Sequence, residues 1–285
     1  MTITVKEVLF QTREALEHGG IPDATLEADI LLGATLNIDR AQLYASLSTA
    51  VSNDGLLALR TLVDRRLSRE PTAYLLEKQE FFGLQFRVTP VVLVPRPETE
   101  TLVEEAVYIA RKRFANCEAV VADVGTGCGA IAVSLALHLP NLRLYATDIS
   151  EPALALASAN ARAHGVQDRI TFLRGDLLEP LPATVDMLAA NLPYLPSDRL
   201  PSLEPEVSKF EPRWALDGGP DGLYHIRRML QQSLNHLNAE ASMLLELDPE
   251  QMDRVADTAL HLYPRAQVRR ILDLAGRQRV MVVAR

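Results

Sequence analysis

Apolar segments of strand length alternate with helical segments along the chain from about residue 119 onward. This alternation is typical of a parallel sheet, because each strand must be followed by a crossover before the next parallel strand can begin. The last two segments flank a short turn at Gly276 and are expected to pair as an antiparallel hairpin. The sequence therefore predicts an α/β fold with a seven-stranded, doubly wound sheet whose strands cover residues 119–124, 143–147, 170–174, 187–190, 242–247, 269–274 and 280–284.

The first 70 or so residues have helical periodicity only. Thr4 and Glu7 have the spacing of a capping box at the start of a helix, and Gly19-Gly20 is a stop signal. Three further helices are predicted over residues 22–34, over residues 41–47 and after residue 52 or 53. We interpret residues 1–73 as a small all-α domain that either recognises a partner or packs against the rest of the chain.

A change of period near residue 75 marks the end of this helical region. Residues 80–88 alternate in polarity through Gly83, which is the pattern of a β-hairpin, and we place a hairpin linker over residues 74–95. The main domain is then expected to cover residues 96–285. Its first helix follows Thr99, which is expected to act as the N-cap.

Composition describes an ordinary globular chain of 285 residues with 48% hydrophobic residues and a net charge of −8. No apolar run approaches the roughly 20 residues of a membrane span. The first ten residues have neither a basic region nor an apolar signal core, so we expect a cytoplasmic protein with no membrane partner. Cys117 and Cys128 have no CxxC spacing, which predicts neither a disulfide framework nor a metal site.

Binding to a nucleic acid requires a basic face, and the overall charge gives none. Positive charge is nevertheless concentrated near the C-terminus, at Arg254, Arg265, Arg269, Arg270, Arg277, Arg279 and Arg285. A solvated face of edge strands explains such a segment more economically than a docking patch.

A glycine-rich loop follows the first predicted strand of the sheet and precedes a helical segment. It reads Asp123-Val124-Gly125-Thr126-Gly127-Cys128-Gly129. Strand-to-helix turns of this kind lie at the carboxyl edge of an open α/β sheet, where ligands bind, and glycines let the backbone approach the ligand closely. Asp148 ends the next strand, about 20 residues past the loop, where an acidic residue can accept hydrogen bonds from both ribose hydroxyls. The pattern indicates an adenosine-containing ligand.

The spacing of the glycines discriminates between two such ligands. A dinucleotide fingerprint reads G-x-G-x-x-G, whereas this loop reads G-x-G-x-G and begins with Asp123, which would repel a pyrophosphate. The loop therefore favours S-adenosyl-L-methionine over NAD. Asp176 ends the third strand, where it could meet the adenine amino group while Leu177 packs on the ring. Helix capping by Asp148 and a turn role for Asp176 remain open as alternatives.

The tetrapeptide Asn191-Leu192-Pro193-Tyr194 follows the fourth predicted strand and reaches the same edge. Pro193 restricts the backbone of Leu192, so the Asn191 side-chain oxygen and the Leu192 carbonyl form two fixed acceptors. An amide or an aromatic amine is a poor nucleophile because its lone pair is delocalised. Two acceptors for its hydrogens, with the Tyr194 ring against its flat face, would orient the nitrogen toward a methyl donor. A plain Asn-x-Pro turn is the structural alternative.

These residues resemble the class I S-adenosylmethionine-dependent methyltransferases, and more narrowly the HemK (PrmC) family of protein-(glutamine-N5) methyltransferases. The resemblance covers nearly the whole chain and extends to Arg96-Pro97-Glu98-Thr99-Glu100, the segment that distinguishes the release-factor enzymes from their ribosomal-protein relatives. Further matching segments are Phe82-Gly83-Leu84, Phe210-Glu211-Pro212, Asp221-Gly222 and Asp273-Leu274-Ala275-Gly276-Arg277.

The resemblance implies a Rossmann-like methyltransferase sheet and an enzyme that methylates the glutamine in the Gly-Gly-Gln loop of peptide chain release factors. Residues 1–73 would then be a substrate-recognition domain, and we expect a monomer. The expected catalytic residues are Asn191, Leu192, Pro193 and Tyr194. The expected cofactor-binding residues are Gly125, Thr126, Gly127, Cys128, Gly129, Asp148, Asp176, Leu177 and Asn191. Arg96 is expected to contact either the cofactor carboxylate or one of Glu98 and Glu100.

Two positions depart from the family pattern. Leu192 replaces the first proline of Asn-Pro-Pro-Tyr, which keeps the backbone acceptor but loosens the turn. Asp248 stands where a strand usually ends in Glu-x-Gly. The sequence Asn-Leu-Pro-Tyr also resembles ribosomal RNA adenine dimethylases, so methylation of an adenine N6 in RNA or DNA is the main alternative, although the acidic charge disfavours a nucleic-acid partner. A non-catalytic module that uses the same fold for binding is a third hypothesis.

Overall fold

The structure is a computed structural model that describes residues 3–114 and 118–285; Cys117 lies outside the described residues. The chain divides into two compact units. The helical unit comprises residues 1–77 together with residues 204–210, and the sheet unit comprises residues 78–203 and 211–285. The predicted domain boundaries at residues 73 and 95 stay a prediction.

The helical unit contains the helices α1 (Val5–His18), α2 (Ala24–Leu36), α3 (Arg40–Ala45), α4 (Asn53–Leu67) and α5 (Thr72–Leu76), and α9 (Pro205–Phe210) belongs to it although it comes much later in the sequence. The predicted capping box is present at α1, where Thr4 and Glu7 exchange hydrogen bonds. Ser52 caps α4 by accepting from the Gly55 N–H at 3.1 Å. Apolar residues of α1, α2 and α4, among them Leu16, Leu31 and Leu59, form the core of this unit.

Two buried charges lie within the helical unit. Asp29 is almost fully buried and receives hydrogen bonds from Arg13, Arg40 and Tyr44. These donors hold the pKa of Asp29 below its usual value despite burial, which by itself would raise it. Arg66 on α4 is 4% exposed and pairs with Glu27 on α2 and with Glu206 on α9.

Within the described residues, the sheet unit contains a hairpin of β1 (Gln79–Phe81) and β2 (Leu84–Phe86) and a seven-stranded sheet. The strands of that sheet are β3 (Ala119–Val124), β4 (Leu142–Asp148), β5 (Ile170–Arg174), β6 (Val185–Ala190), β7 (Leu237–Glu246), β8 (Gln267–Leu272) and β9 (Gln278–Ala284). Their order is β5-β4-β3-β6-β7-β9-β8, and only β9 is antiparallel to its neighbours. The predicted doubly wound fold with a terminal hairpin is confirmed.

Helices connect the strands: α6 (Glu100–Arg113), α7 (Ala130–His138), α8 (Glu151–Ala163), α10 (Tyr224–His236) and α11 (Met252–Leu262). Alternate residues of the central strands, such as Val124, Ala190 and Leu245, form one core cluster with Met229 of α10 and Val255 of α11. The intervening strand residues are also buried. Burial on both faces explains why the strands read as continuous apolar runs in the sequence.

The arginine-rich C-terminal segment is largely neutralised. Arg254 pairs with Asp221, Arg269 with Glu105 and Arg270 with Asp253, each at 2.6 Å or less. Arg279 lies 3.5 Å from Asp273. Each of these four arginines therefore has a carboxylate partner, and the prediction of a solvated face of edge strands stays a prediction. None of the helices in residues 3–114 and 118–285 combines the length and the apolar character that a bilayer crossing requires.

Candidate active site

Four strand ends meet at one level of the sheet. Val124 at the end of β3 is in register with Thr147 of β4 and with Ala190 of β6, and Ala190 is in register with Leu245 of β7. The residues that follow are therefore neighbours in the order Asp148, Gly125, Asn191 and Glu246. After β3 the chain adds β4 and β5 on one side of it and then β6 and β7 on the other. The carboxyl end of β3 is therefore the switch point of the strand order, where open α/β sheets bind ligands.

The glycine loop turns its backbone donors toward the protein. The N–H groups of Gly125 and Thr126 both donate to the Thr147 carbonyl at 2.9 Å, and the Gly127 N–H donates to Oδ2 of Asp148 at 2.9 Å. A phosphate-binding loop instead directs such donors at the ligand. The arrangement therefore favours a ligand without phosphates, as predicted.

Asp123 lies beneath the loop and is fully buried. Its Oδ2 accepts from the Thr126 hydroxyl at 2.6 Å and from the Ala132 N–H in the first turn of α7 at 3.1 Å. Burial raises the pKa of this carboxyl to about 7. Asp123 thus occupies the position at a helix N-terminus that a pyrophosphate would otherwise use, although it does not line the cavity and so does not meet the ligand directly.

Asp148 lies at the edge of the cavity and is held by two backbone donors. Oδ1 accepts from the Ser150 N–H at 2.9 Å, and Oδ2 accepts from Gly127. The helix-capping alternative does not apply, because Ser150 rather than Asp148 caps α8. Burial raises the pKa of Asp148, and these two backbone hydrogen bonds oppose the rise. Each carboxylate oxygen can accept a second hydrogen bond, so the residue suits a pair of ribose hydroxyls.

Asp176 and Leu177 line the same cavity. Oδ2 of Asp176 forms an ion pair with Arg228 at 2.6 Å, a partner that the sequence did not suggest. Leu177 has a positive φ of 55°, and its carbonyl accepts from the Thr147 hydroxyl at 2.8 Å. This bond fixes the Leu177 backbone at the cavity wall, where its side chain can cover a flat ring.

The cavity is open to solvent at the switch point of the sheet, the place where open α/β folds bind nucleoside derivatives. Its walls include Gly125, Thr126, Gly127, Cys128, Asp148, Asp176, Leu177, Asn191, Leu192 and Pro193. Apolar side chains such as Val91, Leu93 and Ile149 complete it and suit an adenine ring. The site fits S-adenosyl-L-methionine, because it has a carboxylate for the ribose and an apolar slot for the base. The N–H groups of Gly125, Thr126 and Gly127 are bonded within the protein, so they do not require a phosphate.

Two of the predicted site residues are not among those that line the cavity. Gly129 instead packs on α8, where a side chain would meet the Cβ of Ala157 at 3.0 Å. Tyr194 is half-buried behind the tetrapeptide, and its hydroxyl donates to Oε1 of Glu246 at 3.3 Å. The thiol of Cys128 is buried, and burial raises its pKa to about 12, which agrees with its interpretation as a small loop residue.

The tetrapeptide is held from both sides. Nδ2 of Asn191 donates to the Thr99 hydroxyl oxygen at 3.0 Å. On the far side, Nε2 of Gln251 donates to the Tyr194 carbonyl at 2.7 Å. Residues 216–222 support the same backbone, since a Cβ on Gly222 would lie 2.2 Å from the Tyr194 carbonyl oxygen. These contacts restrain the turn in addition to Pro193.

Thr99 does not have the role that the sequence suggested. Residues Pro97–Thr99 form a 3-10 turn that runs directly into α6, and the Thr99 side chain makes no capping hydrogen bond. Its hydroxyl is directed at Asn191 instead. The prediction of an N-cap was wrong because the partner that competes for this hydroxyl lies 92 residues further along the chain.

Arg96 also has a different partner from those expected. Its Nη2 lies 2.7 Å from both carboxylate oxygens of Glu211, whose side chain is almost fully buried. Burial raises the pKa of Glu211, and the charge of Arg96 opposes that rise. Neither Glu98 nor Glu100 is the partner; Glu100 accepts from the backbone N–H of Phe82 at 2.8 Å. Arg96 from one segment that carried the resemblance thus pairs with Glu211 from another such segment.

Sequence reasoning missed three residues at this site, namely Thr99 as the partner of Asn191, Glu246 as the partner of Tyr194 and Glu211 as the partner of Arg96. Only Glu246 had a positional signal, because it ends the strand that follows the tetrapeptide. Among the described residues, no group of three or more histidine, cysteine or acidic side chains is placed to hold a metal ion.

Comparison with known proteins agrees with this geometry. Residues 7–76 match the PrmC N-terminal domain, and residues 107–199 match the methyltransferase small domain. The chain is 42% identical to a release factor glutamine methyltransferase of Geobacter sulfurreducens over 92% of this chain and 89% of that protein. It is 41% identical to the protein of the same name from Moorella thermoacetica over 99% of both chains.

A solved structure with a similar fold is the hMettl16 catalytic domain in complex with the MAT2A 3′UTR hairpin 6. Its TM-score is 0.54 at 17% identity, and the match covers 81% of this chain and 80% of that one. At this identity the similarity establishes the fold alone. The two close relatives extend over nearly the full length, and the chain therefore belongs to the release factor glutamine methyltransferase family of S-adenosyl-L-methionine-dependent enzymes.

Proposed function

We propose that the chain transfers a methyl group from S-adenosyl-L-methionine to the side-chain amide nitrogen of the glutamine in the Gly-Gly-Gln loop of peptide chain release factors. The observation that carries this proposal is the orientation of Asn191. Its Nδ2 is bonded to Thr99, so its oxygen is left for a ligand in the cavity that Asn191 lines. An acceptor at this position suits an NH2 group.

The proposed work of the tetrapeptide is to orient a poor nucleophile. The Asn191 side-chain oxygen and the Leu192 carbonyl would each accept one hydrogen of the glutamine amide. Holding both hydrogens directs the nitrogen at the methyl carbon and favours the positive charge that develops on it. No strong base is needed, since the proton can leave after the methyl group has been transferred. Tyr194 lies outside the cavity lining, so its proposed work is to hold the turn through the bond from its hydroxyl to Glu246.

The proposed work of the glycine loop and Asp148 is to hold the methyl donor. When bound, S-adenosyl-L-methionine supplies a methyl carbon attached to a positively charged sulfur. Asp148 would accept from its ribose hydroxyls, and Leu177 would cover its adenine ring. Gly125, Thr126, Gly127 and Cys128 would form the wall beside it, while Asp176 would meet the adenine amino group at the edge already occupied by Arg228.

Methylation of an adenine N6 is the alternative that the same acceptors allow. The net charge of −8 and the carboxylate partners of the C-terminal arginines count against a nucleic-acid substrate. The two relatives at 42% and 41% identity are named for release factors. We further propose that the helical unit binds the release factor and that the protein acts as a monomer in the cytoplasm, where chain termination takes place.

A direct test supplies labelled S-adenosyl-L-methionine with purified release factor, with a Gln→Ala variant of its Gly-Gly-Gln loop, and separately with total RNA. We expect label on the unmodified release factor only. Label on RNA and none on the release factor would refute the proposal.

The division of labour at the site gives a second test with two variants. Asn191→Ala should abolish transfer while the Kd for the cofactor stays within several-fold, because Asn191 acts on the substrate nitrogen. Asp148→Ala should raise the Kd for the cofactor first, because it removes the ribose acceptor. Calorimetric titration of both variants separates the roles, and loss of cofactor binding in Asn191→Ala would contradict the assignment.

A further inference from the structure

A chain of polar groups runs behind the face that Asn191 presents to the cavity. Nδ2 of Asn191 donates to Oγ1 of Thr99 at 3.0 Å, and the Tyr194 hydroxyl donates to Oε1 of Glu246 at 3.3 Å. Glu246 follows Leu245, whose register partner Ala190 precedes Asn191, so the two residues are adjacent at the strand ends. Glu246 is therefore next to Asn191 at one end of the tetrapeptide and bonded to Tyr194 at the other.

One oxygen of Glu246 is available for a further donor. The residue is 2% exposed, and its Oε2 has no hydrogen-bond partner among the residues that the structure describes. A buried carboxylate oxygen without a donor is costly, so a nearby hydroxyl is expected to turn toward it. We identify this hydroxyl as that of Thr99, because Thr99 is buried and contacts Asn191, which is adjacent to Glu246 at the strand ends. The interaction of Thr99 with the Glu246 carboxyl, which lowers the pKa of the acid, agrees with this placement.

The direction of the hydrogen bonds follows from what each group can do. An ionised carboxylate only accepts, whereas a hydroxyl donates one hydrogen and accepts as well. If Thr99 donates to Glu246, its oxygen remains free to accept, and the Asn191 amide must then turn its NH2 toward Thr99. The Asn191 oxygen is left facing the substrate. In the opposite orientation, the NH2 group of Asn191 would face the NH2 group of the substrate amide, and neither could accept a hydrogen bond from the other.

We propose that Glu246 is a positioning residue that, through Thr99, fixes the Asn191 amide with its oxygen toward the substrate nitrogen and at the same time anchors Tyr194. This inference rests on the proposed function, since it concerns how the same NH2-binding turn is oriented. Glu246 itself touches neither the cavity nor the reacting atoms.

Several charged groups surround Glu246 and set when it is ionised. Arg279 of β9 lowers its pKa, and Glu98 of the 3-10 turn raises it, as does burial most of all; together they bring its pKa to about 7. Asp248 interacts with Tyr194, and Asp273 is the partner of Arg279. The acceptor-only form is therefore lost as the pH falls through about 7, and the orientation of Asn191 loses its constraint.

The test uses the full chain with saturating cofactor and release factor. Glu246→Gln should lower kcat at least tenfold, because a glutamine side chain can donate as well as accept and no longer dictates the direction of the Thr99 hydroxyl. Thr99→Val should lower kcat similarly, whereas Thr99→Ser should restore it to within a few-fold of the wild type. The Kd for the cofactor should change less than threefold in all three variants.

The pH profile separates orientation from simple packing. Wild-type kcat should decrease as the pH falls below about 7, and the Glu246→Gln profile should lack this limb. Glu98→Gln is the matched control: it removes an exposed neighbouring carboxylate that does not bond to Thr99, and it should keep both kcat and the limb.

Unchanged kcat in Glu246→Gln or Thr99→Val would overturn the inference, and so would a wild-type acidic limb that persists in Glu246→Gln. Should Glu246→Gln fail to fold, the nearly isosteric Thr99→Val and its serine counterpart still decide. The proposed function fails separately, if the wild-type chain leaves the release factor unlabelled. In that case the same variants assayed on the substrate that is labelled continue to test the orientation of Asn191.

Discussion

Asp123 is a fully buried carboxyl group that lies beneath the glycine loop and bonds to it through Thr126. It accepts from Thr126 and Ala132 through Oδ2, and its buried Oδ1 has no hydrogen-bond partner within residues 3–114 and 118–285. Two hydrogen bonds favour the ionised form, but burial outweighs them and brings the pKa to about 7. The group is therefore divided near neutral pH between a charged helix cap and a neutral one.

The raised pKa of Asp123 makes the free energy of unfolding depend on pH. The folded state retains the Asp123 proton up to about pH 7, whereas the unfolded chain releases it near the ordinary aspartate pKa of about 3.9. The free energy of unfolding therefore falls as the pH rises between these two values. The difference of about three pKa units corresponds to about 4 kcal/mol. Asp123→Asn should remove this slope.

Urea unfolding of the wild type and of Asp123→Asn at pH values from 4 to 8 measures the effect. The difference in unfolding free energy between them should grow with pH and level off above about 7. Asp257→Asn, which changes an exposed carboxyl on α11, is the control and should run parallel to the wild type. Parallel curves for Asp123→Asn would contradict the assigned burial effect.

Leu192 shows how a departure from the family pattern is accommodated. The proline usually found there was expected to make the turn more rigid. Here Leu192 is 4% exposed and lies against the glycine loop, so that a Cβ on Gly125 would be 3.0 Å from its Cδ2. The turn is restrained by this packing and by the bond from Gln251 to Tyr194. Packing thus replaces part of the covalent restriction.

At the scale of elements, periodicity predicted the strands of the sheet well because both faces are buried. Strands β3 and β5 have the predicted bounds, β8 begins and ends two residues earlier than predicted, and the others are longer than predicted. The largest difference is β7, which begins at Leu237 rather than at residue 242, since its first residues include the polar Asn238 and Glu240 and lack an apolar signal. The order of the strands depends on contacts between distant residues and could not be predicted.

Two short helices, α5 and α9, were not predicted, whereas α3, which is equally short, was predicted over residues 41–47. The five-residue α5 and the six-residue α9 are too short to have a hydrophobic period. The site residues with a local signal, such as the glycine loop and the tetrapeptide, were predicted. The partners Thr99, Glu211 and Glu246 were not, because each acts through a contact made over 52 to 115 residues of sequence.

The attachment of α9 within the helical unit depends on Arg66. This side chain is buried and pairs with Glu206 at 3.0 Å and with Glu27 at 3.4 Å. Arg66→Ala would remove the buried cation that Glu27 and Glu206 share, although Glu206 keeps its pair with Arg69 at 3.0 Å, and should lower the free energy of unfolding by about 3 kcal/mol. Arg60→Ala on the same helix, whose side chain is 80% exposed and 3.9 Å from Asp64, should change it by less than about 0.5 kcal/mol. Thermal unfolding of both variants decides, and equal shifts would argue against a structural role for the Arg66 pairs.

The charge distribution of the whole molecule has a consequence for nucleic acids. The net charge is −8, and carboxylates neutralise Arg254, Arg269 and Arg270. Binding to RNA depends on releasing counterions from phosphates, which needs unpaired positive charge. We expect no saturable binding of labelled single-stranded RNA, measured by fluorescence anisotropy at about 0.15 M salt. Excess RNA should leave the rate of release-factor methylation unchanged; binding that weakens steeply with added salt would contradict this prediction.

The helical unit is built from two stretches of sequence that are more than 120 residues apart, residues 1–77 and 204–210. A boundary drawn from sequence similarity, at residue 76, omits the second stretch. A fragment cut there would leave the buried Arg66 without Glu206. Anyone who transplants the helical unit into another protein, or compares its inheritance among relatives, must therefore follow a discontinuous unit. The part of the gene that encodes Asn191 to Tyr194 also encodes, some ten residues later, a piece of the helical unit.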